Sequence, residues 1–123
     1  MKGQRLFIRP IEATDHETVA VFLQNHGGSS HVPACGLIGK LVGDLVAVVE
    51  LEITPDTVRL DNIVVATALR RKWIGRAMLR EVEQLARKME RPRVQVDDAR
   101  GAQEFLRRVG FVSEGDRWIR EVG

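Results

Sequence analysis

The feature of this sequence that most constrains the fold is the segment 45–49, LVAVV, in which every residue is apolar. Side chains of a strand alternate between the two faces of a sheet, so a strand that is apolar on both faces belongs in the middle of a sheet. The segment opens a strand that is predicted to run to residue 53, and neighbouring strands are predicted at 37–42 and 57–65. Gly43-Asp44 is predicted as the two-residue turn of the first hairpin.

A long amphipathic helix is predicted over residues 72–90. Its apolar residues recur every three or four positions, and they are Ile74, Met78, Val82, Leu85 and Met89. Arg91-Pro92 ends the pattern, because proline disfavours a helical residue before it. The remaining predicted elements are a strand at 6–8, a helix that begins with the capping-box sequence 14–17 and ends near 26–28, a strand at 93–97, a short helix at 102–109 and a hairpin at 111–122.

These elements give the order β-α-β-β-β-α-β-α-β-β, which predicts a mixed α/β fold. The length of 123 residues suits a single domain, residues 1–123, with one core. The formal net charge is only +2, so overall charge gives no argument for nucleic-acid binding. No apolar run is long enough to cross a membrane, and the N-terminus is not typical of a signal peptide. With a single cysteine, Cys35, no intrachain disulfide can form, and the expected location is cytoplasmic.

A cluster of cations lies between the strand predicted at 57–65 and the long helix. The first amide groups of a helix have no internal partner, and the helix dipole adds about half a positive charge at that end. Cations are usually disfavoured there, so a bound anion such as a phosphate would explain the cluster of Arg70, Arg71, Lys72 and Arg76. A solvated basic surface is the alternative. Nucleic-acid binding is less favoured, because no aromatic platform for bases accompanies the patch.

Three segments resemble the GCN5-related N-acetyltransferase (GNAT) family. Residues 65–75, VATALRRKWIG, are similar to the family motif V-x-P-x-x-[R/Q]-x-x-G-x-[G/A]. Residues 99–111, ARGAQEFLRRVGF, are similar to N-x-x-A-x-x-[F/L]-Y-x-x-x-G-F, and LFIRP with the following Asp15 is similar to the family's first strand and helix. The resemblance covers essentially the whole chain. It implies a GNAT-like mixed, mostly antiparallel sheet flanked by helices.

The resemblance also implies an activity, which is direct transfer of an acetyl group from acetyl-CoA to an amine acceptor, either a small molecule or a peptide. In the family the loop amides hold the pyrophosphate of acetyl-CoA, and the preceding strand binds the pantetheine arm. Carried over to this sequence, the expected cofactor-binding residues are Ile63, Val64, Val65, Arg70, Arg71, Lys72, Trp73, Gly75, Arg76 and Ala77.

Four positions depart from the family patterns: Thr67 replaces proline, Trp73 replaces glycine, Ala99 replaces asparagine and Leu106 replaces tyrosine. The family tyrosine often protonates the leaving thiolate, and this sequence contains no tyrosine. The thiolate would then take its proton from water or from the ammonium product. Trp73 precedes the buried stripe of the helix by one residue, so its indole is expected to be partly exposed near the cofactor. The alternative function is a catalytically impaired GNAT-fold module that binds CoA or another protein.

Asp61 is the candidate catalytic residue, as the acceptor of the proton that the amine must lose. Strand alternation predicts that Asp61, Arg59, Ile63 and Val65 share one face, and family members often place a glutamate or histidine base at the position of 59 or 61. Arginine cannot accept a proton, whereas Asp61 can, directly or through a water molecule. The alternative is that Asp61 only pairs with Arg59 or with another cation.

Other polar residues carry weaker predictions. Glu50 and Glu52 could attract a cationic amine, although such residues more often form the solvent face of a strand end. One residue of Asp97-Asp98 is expected to cap the following helix, and Trp118 is expected to pack in the last hairpin.

The segment 26–36 decides the expected shape of the acceptor site. Its histidines and Cys35 do not have the spacing of a metal site, so no metal is expected. It is also too short for the second helix that the family commonly has there, so that helix is predicted to be absent. The acceptor site is therefore expected to be open, or to be completed by a second copy in a homodimer.

Overall fold

The computed structural model describes residues 5–27, 31–70, 73–97, 99 and 101–122. The elements follow one another in the predicted order. The strands are β1 (Leu6–Pro10), β2 (Gly36–Leu41), β3 (Asp44–Ile53), β4 (Thr57–Val65), β5 (Arg93–Val96), β6 (Val112–Glu114) and β7 (Arg117–Glu121), and the helices are α1 (His16–His26), α2 (Ile74–Lys88) and α3 (Gln103–Arg108). Short 3-10 turns at Ala13–Asp15 and Thr67–Leu69 precede α1 and α2.

All seven strands form one sheet with the order β1-β2-β3-β4-β5-β7-β6. Neighbouring strands are antiparallel except β4 and β5, which are parallel because α2 carries the chain back along the sheet between them. The apolar strand β3 lies between β2 and β4, which confirms the central position predicted for it. The fold is therefore the predicted mixed and mostly antiparallel sheet. Between α1 and β2, the described residues 31–35 contain no helix.

Helices cover both faces of the sheet. The apolar stripe of α2 and the side chain of Leu106 on α3 belong to the larger core cluster on one face. On the other face α1 buries Val19, Phe22 and Leu23 against Ile38, Val48 and Val64. In the described part of the chain, none of the helices has the length and apolar content needed to cross a membrane.

The first hairpin turn lies one residue earlier than predicted. β3 already begins at Asp44, which pairs with Leu41, so the turn consists of Val42 and Gly43. Both turn residues have positive φ, 51° and 85°, as a type I′ turn requires. The prediction missed this turn because valine rarely adopts a positive φ, and Asp44 is the more usual turn residue.

The start of α1 also differs from the prediction. Thr14 does not cap the helix, because a 3-10 turn precedes α1 and Asp15 occupies the N-cap position. The carboxylate of Asp15 accepts a hydrogen bond from the backbone N–H of Glu12 at 2.7 Å. It also accepts two hydrogen bonds from the guanidinium of Arg9, both at 2.8 Å. This bidentate pair fixes β1 to the start of α1.

We expect Asp15→Asn to lower the melting temperature at neutral pH by about 5 °C, because the Arg9 guanidinium loses the carboxylate to which it donates two hydrogen bonds. Hydrogen bonds from Arg9 and from the Glu12 backbone hold the pKa of Asp15 well below its usual range. A depressed folded-state pKa stabilises the protein fully above the unfolded pKa of about 3.9, and this stabilisation is lost as pH falls below it. The melting temperatures of the two proteins should therefore converge in acid. A constant difference down to about pH 2 would contradict this explanation.

Candidate active site

A cleft opens where β4 and β5 diverge. The ladder between these parallel strands pairs Thr57 with Arg93 and ends at the pair Arg59–Gln95, although β4 continues for six more residues to Val65. Beyond that point the two strands enclose a cavity of about 440 Å³. It is lined by Glu50, Leu60, Asp61, Asn62, Ile63, Leu79, Val96, Ala99, Ala102, Phe105 and Leu106. The divergence leaves one edge of the last residues of β4 without a strand partner.

A β-bulge at Asp61 lies at the mouth of this cleft. Leu51 and Glu50 are adjacent on β3, but they pair with Leu60 and Asn62, so Asp61 is an extra residue on β4. A bulge of this kind bends the strand and reverses the alternation of faces beyond it. The prediction that Arg59 shares a face with Ile63 and Val65 is therefore wrong. The partners of Arg59 and Ile63 on β3, Glu52 and Val49, point to opposite faces of the sheet.

Asp61 forms an ion pair with Arg59. The Arg59 Nε donates to Asp61 Oδ1 at 2.6 Å, and Arg59 Nη2 donates to Glu52. Asp97 Oδ2 lies 3.8 Å from Arg59 Nε. The hydrogen bond to Asp61, supported by the charges of all three carboxylates, raises the pKa of Arg59. Pairing between Asp61 and Arg59 was the alternative that the sequence left open. This ion pair fixes the direction of the Asp61 carboxylate at the cleft.

The start of α2 presents unpaired amide groups, as predicted. Trp73 occupies the N-cap position and makes no side-chain capping bond, and the first intrahelical bond runs from Ala77 N to Trp73 O at 3.0 Å. The amides of residues 74–76 therefore have no acceptor within the helix. A Cβ added at Gly75 would meet only Phe105, at 3.7 Å, so the backbone here is open to a ligand. Arg71 and Lys72 lie outside the described residues.

Arg70 orders the loop between β4 and α2. Its Nε donates to Val65 O at 3.0 Å, and its Nη2 donates to His26 O at 2.5 Å. These bonds join the end of β4 to the end of α1, and Arg70 and His26 are 44 positions apart in the sequence. The sequence predicted Arg70 as a phosphate ligand, and the structure gives its side chain this additional structural contact. Arg76 is exposed on the first turn of α2, beside Arg80.

His26 explains the replacement of the motif proline by Thr67. The backbone N–H of Thr67 donates to His26 Nδ1 at 3.0 Å, a bond that proline could not form. The Thr67 hydroxyl also lies 3.0 Å from the same nitrogen, and the His26 ring packs 4.7 Å from that of Phe22. Sequence reasoning missed this role, because the two residues are separated by 41 positions. Contacts between His26 and Thr67 therefore hold the loop at the position where the motif has proline.

The positions of the missing asparagine and tyrosine both line the cleft. Ala99 and Leu106 form part of the cavity wall, and Leu106 is only 3% exposed. An apolar side chain thus stands where the family often has a phenolic hydroxyl, and it packs with the core around α2.

Asp97, Asp98 and Trp118 are the remaining candidate residues. Asp97 does not cap α3, whose N-cap is Ala102, and it instead accepts a hydrogen bond from Gln95 at 2.6 Å. Asp98 lies outside the described residues. Trp118 is buried in the last hairpin, as predicted, with the Arg107 guanidinium 5.4 Å from its ring. Among the residues that the structure describes, no group of three metal-ligating side chains is close enough to hold an ion.

Several solved structures share this fold. The ribosomal-protein-alanine N-acetyltransferase of Escherichia coli matches with a TM-score of 0.80 and 17% identity, over 97% of this chain and 95% of that one. An N-acetyltransferase of Thermoplasma acidophilum in complex with coenzyme A matches with a TM-score of 0.73 and 18% identity, over 95% and 99%. N-acetylglutamate synthase of Neisseria gonorrhoeae, complexed with coenzyme A and N-acetyl-glutamate, matches with a TM-score of 0.77 and 16% identity, over 99% of this chain and 36% of that one.

These likenesses define the fold as that of an N-acetyltransferase. A sequence model of the acetyltransferase (GNAT) family matches residues 5–111, and the chain therefore belongs to that family. The prediction of an N-acetyltransferase is confirmed at the level of the family. A comparison with curated protein sequences found no match.

Proposed function

We propose that this protein transfers an acetyl group from acetyl-CoA directly to an amine. The proposal is based mainly on the position of the cleft. A cavity of about 440 Å³ lies where β4 and β5 diverge, and β4 leads from there through a short loop to the unpaired amides at the start of α2. The cavity suits the thioester of acetyl-CoA, and the start of α2 suits its phosphates.

In this proposal the pantetheine arm lies along Ile63, Val64 and Val65. Beyond Arg59 no β5 residue pairs with β4, so main-chain groups on that edge are available to the amides of the arm. The pyrophosphate lies at the free amides of residues 74–76, between Trp73 and Ala77, where Gly75 permits close approach. In the sequence, Arg70, Arg71, Lys72 and Arg76 flank or fall within this segment and supply positive charge.

Asp61 is the proposed proton acceptor. Its Oδ1 is bonded to Arg59, which leaves Oδ2 to take a proton from the amine, directly or through water. The neutral amine nitrogen then attacks the thioester carbon, a C–N bond forms, the C–S bond breaks and the thiolate of CoA leaves. Because Leu106 has no hydroxyl, the thiolate takes its proton from water or from the ammonium form of the product.

Calorimetric titration with acetyl-CoA and with CoA tests the first half of the proposal. We expect binding in the micromolar range, as is common for substrates of enzymes. Incubation with acetyl-CoA and a panel of amines, followed by detection of the free thiol, tests the second half. A protein that binds no CoA at about 1 mM would overturn the whole proposal. Binding without turnover on any amine would favour an impaired CoA-binding module instead.

Trp73 should report directly on the bound cofactor. The indole is 50% exposed and stands at the N-cap of α2, next to the proposed pyrophosphate site. In a Trp118→Phe background we expect CoA to change the emission of Trp73. We also expect Trp73→Gly to weaken CoA binding about fivefold, because the indole no longer contacts the ligand. A Trp73→Gly protein that loses several kcal/mol of stability but binds CoA as before would contradict this placement.

A further inference from the structure

The cleft has a smaller neighbour on the side of the sheet that α1 covers. This second cavity has a volume of about 70 Å³, against about 440 Å³ for the cleft. The two share only Glu50 and Asn62 among their lining residues. The other residues that line the small cavity are Leu23, Gly27, His31, Pro33, Val48 and Val64. Glu50 and Asn62 therefore line both cavities, and the region around these two residues is called the junction below.

Main-chain geometry keeps Glu50 at this junction. Glu50 pairs with Asn62 on β4, immediately beyond the bulge, and with Gly36 on β2. Gly36 cannot be replaced easily, because a Cβ there would clash with the backbone oxygen of Val49. Only a residue without a side chain fits on that side of Glu50. The Glu50 side chain is 28% exposed, so its charge is partly shielded from water.

The charges around this junction favour a cation. The single guanidinium of Arg59 is shared by Glu52, Asp61 and Asp97. Glu50 adds a further carboxylate, and its Oε2 lies 3.6 Å from Nε2 of His31, a side chain that is charged only when protonated. Even with a positive charge on both Arg59 and His31, the four carboxylates leave the described charges around the junction negative in sum. An ammonium group that enters would gain from this field in a partly desolvated site.

We propose that the small cavity admits the acceptor, that the acceptor is a primary ammonium on an unbranched aliphatic stem, and that Glu50 binds it. This inference rests on the proposed acetyl transfer and adds the class of acceptor and the direction from which it enters. The apolar walls of Leu23, Val48 and Val64 suit methylene groups, and the small volume favours an unbranched stem over a ring or a branched carbon beside the nitrogen. The amine then meets the thioester in the larger cleft, close to Asp61.

Glu50 is assigned to binding, and Asp61 keeps the role of proton acceptor. A residue that binds the ammonium alike in the ground state and in the transition state lowers the KM for the acceptor without raising kcat. Glu50→Gln keeps the shape of the side chain and removes its charge. We expect it to raise the KM for the acceptor about tenfold or more, with kcat changed less than about threefold and with CoA affinity unchanged.

The experiment measures steady-state kinetics for the wild type, Glu50→Gln, Glu50→Asp and the control Asp44→Asn, which removes an exposed carboxylate from the same strand. The acceptors are an unbranched alkylamine, a diaminoalkane, tert-butylamine and aniline. We expect the two unbranched amines to be the better substrates, Glu50→Asp to keep part of the affinity, and Asp44→Asn to resemble the wild type. Thermal unfolding checks that each variant is folded.

Two results would overturn the inference. One is a Glu50→Gln protein with an unchanged acceptor KM, whether or not kcat falls, and the other is a wild type that prefers the ring or the branched amine. Failure of the proposed function is a different result, because the wild type would then not bind CoA or would acetylate none of the amines.

Discussion

Asp61→Asn is expected to lower kcat by about a hundredfold while leaving CoA affinity within about twofold of the wild type. The substitution keeps the size of the side chain and removes its ability to take a proton. Asp61 lies at the bulge of β4 and faces the cleft, whereas the proposed phosphate site lies at the start of α2. Steady-state kinetics with saturating acetyl-CoA, combined with calorimetric titration of CoA, separate the two effects.

The control for this variant is Asp116→Asn, which removes an exposed carboxylate from the turn of the last hairpin and should leave both quantities unchanged. If Asp61 takes the proton, kcat of the wild type should fall at low pH, and this dependence should be absent from Asp61→Asn. Equal kcat values for the two proteins from about pH 6 to about pH 9 would exclude Asp61 as the base. Water or the substrate itself would then remove the proton.

Much of the fold could be predicted because its elements follow simple periodicities. The apolar segment 45–49 required a central strand, and it lies third in the sheet. The three- and four-residue spacing of Ile74, Met78 and Val82 predicted the buried stripe of α2, and these residues are at most 1% exposed. Local spacing alone decides such features, so a single sequence is enough to find them.

The bulge at Asp61 could not be predicted in the same way. An extra residue in a strand depends on the register of two strands, and neither strand alone contains a signal for it. The sequence named Asp61 as the candidate catalytic residue, and Asp61 lines the cavity, but the sequence assigned Arg59 to the wrong face. The bond between His26 and Thr67 was missed for a related reason, since it joins residues that only the tertiary fold brings together.

The small cavity illustrates the same limit for the candidate site. Its walls come from α1, from β3, from β4 and from the segment before β2, and no motif connects these segments. From the sequence, Glu50 and Glu52 had the same predicted role, which was to attract a cationic amine. The ladder distinguishes them, because Glu50 pairs with Asn62 beyond the bulge, whereas Glu52 pairs with Arg59 before it.

Arg70→Glu is expected to weaken CoA binding by about a hundredfold, which corresponds to about 2.7 kcal/mol. The variant places a carboxylate beside two carbonyl oxygens, those of Val65 and His26, to which the guanidinium now donates. The hydrogen bonds are lost and like charges approach, so the loop between β4 and α2 should no longer hold its amides in place. The Arg70→Glu substitution also replaces a positive charge beside the proposed phosphate site with a negative one. Lys88→Glu, an equal charge change on the last turn of α2, is the control and should leave binding unchanged.

A second variant separates these two causes. His26→Ala removes the acceptor of the Thr67 N–H and the contact with Phe22, but it leaves the number of cations around the proposed phosphate site unchanged. If Arg70 acts mainly by ordering the loop, His26→Ala should also weaken CoA binding, by about tenfold, and Arg70→Gln should resemble it. If Arg70 acts mainly through its charge, His26→Ala should bind CoA normally, and the loss in Arg70→Gln should shrink at high salt. We expect His26→Ala to weaken CoA binding, because both hydrogen bonds from the Arg70 side chain go to main-chain oxygens and order the loop.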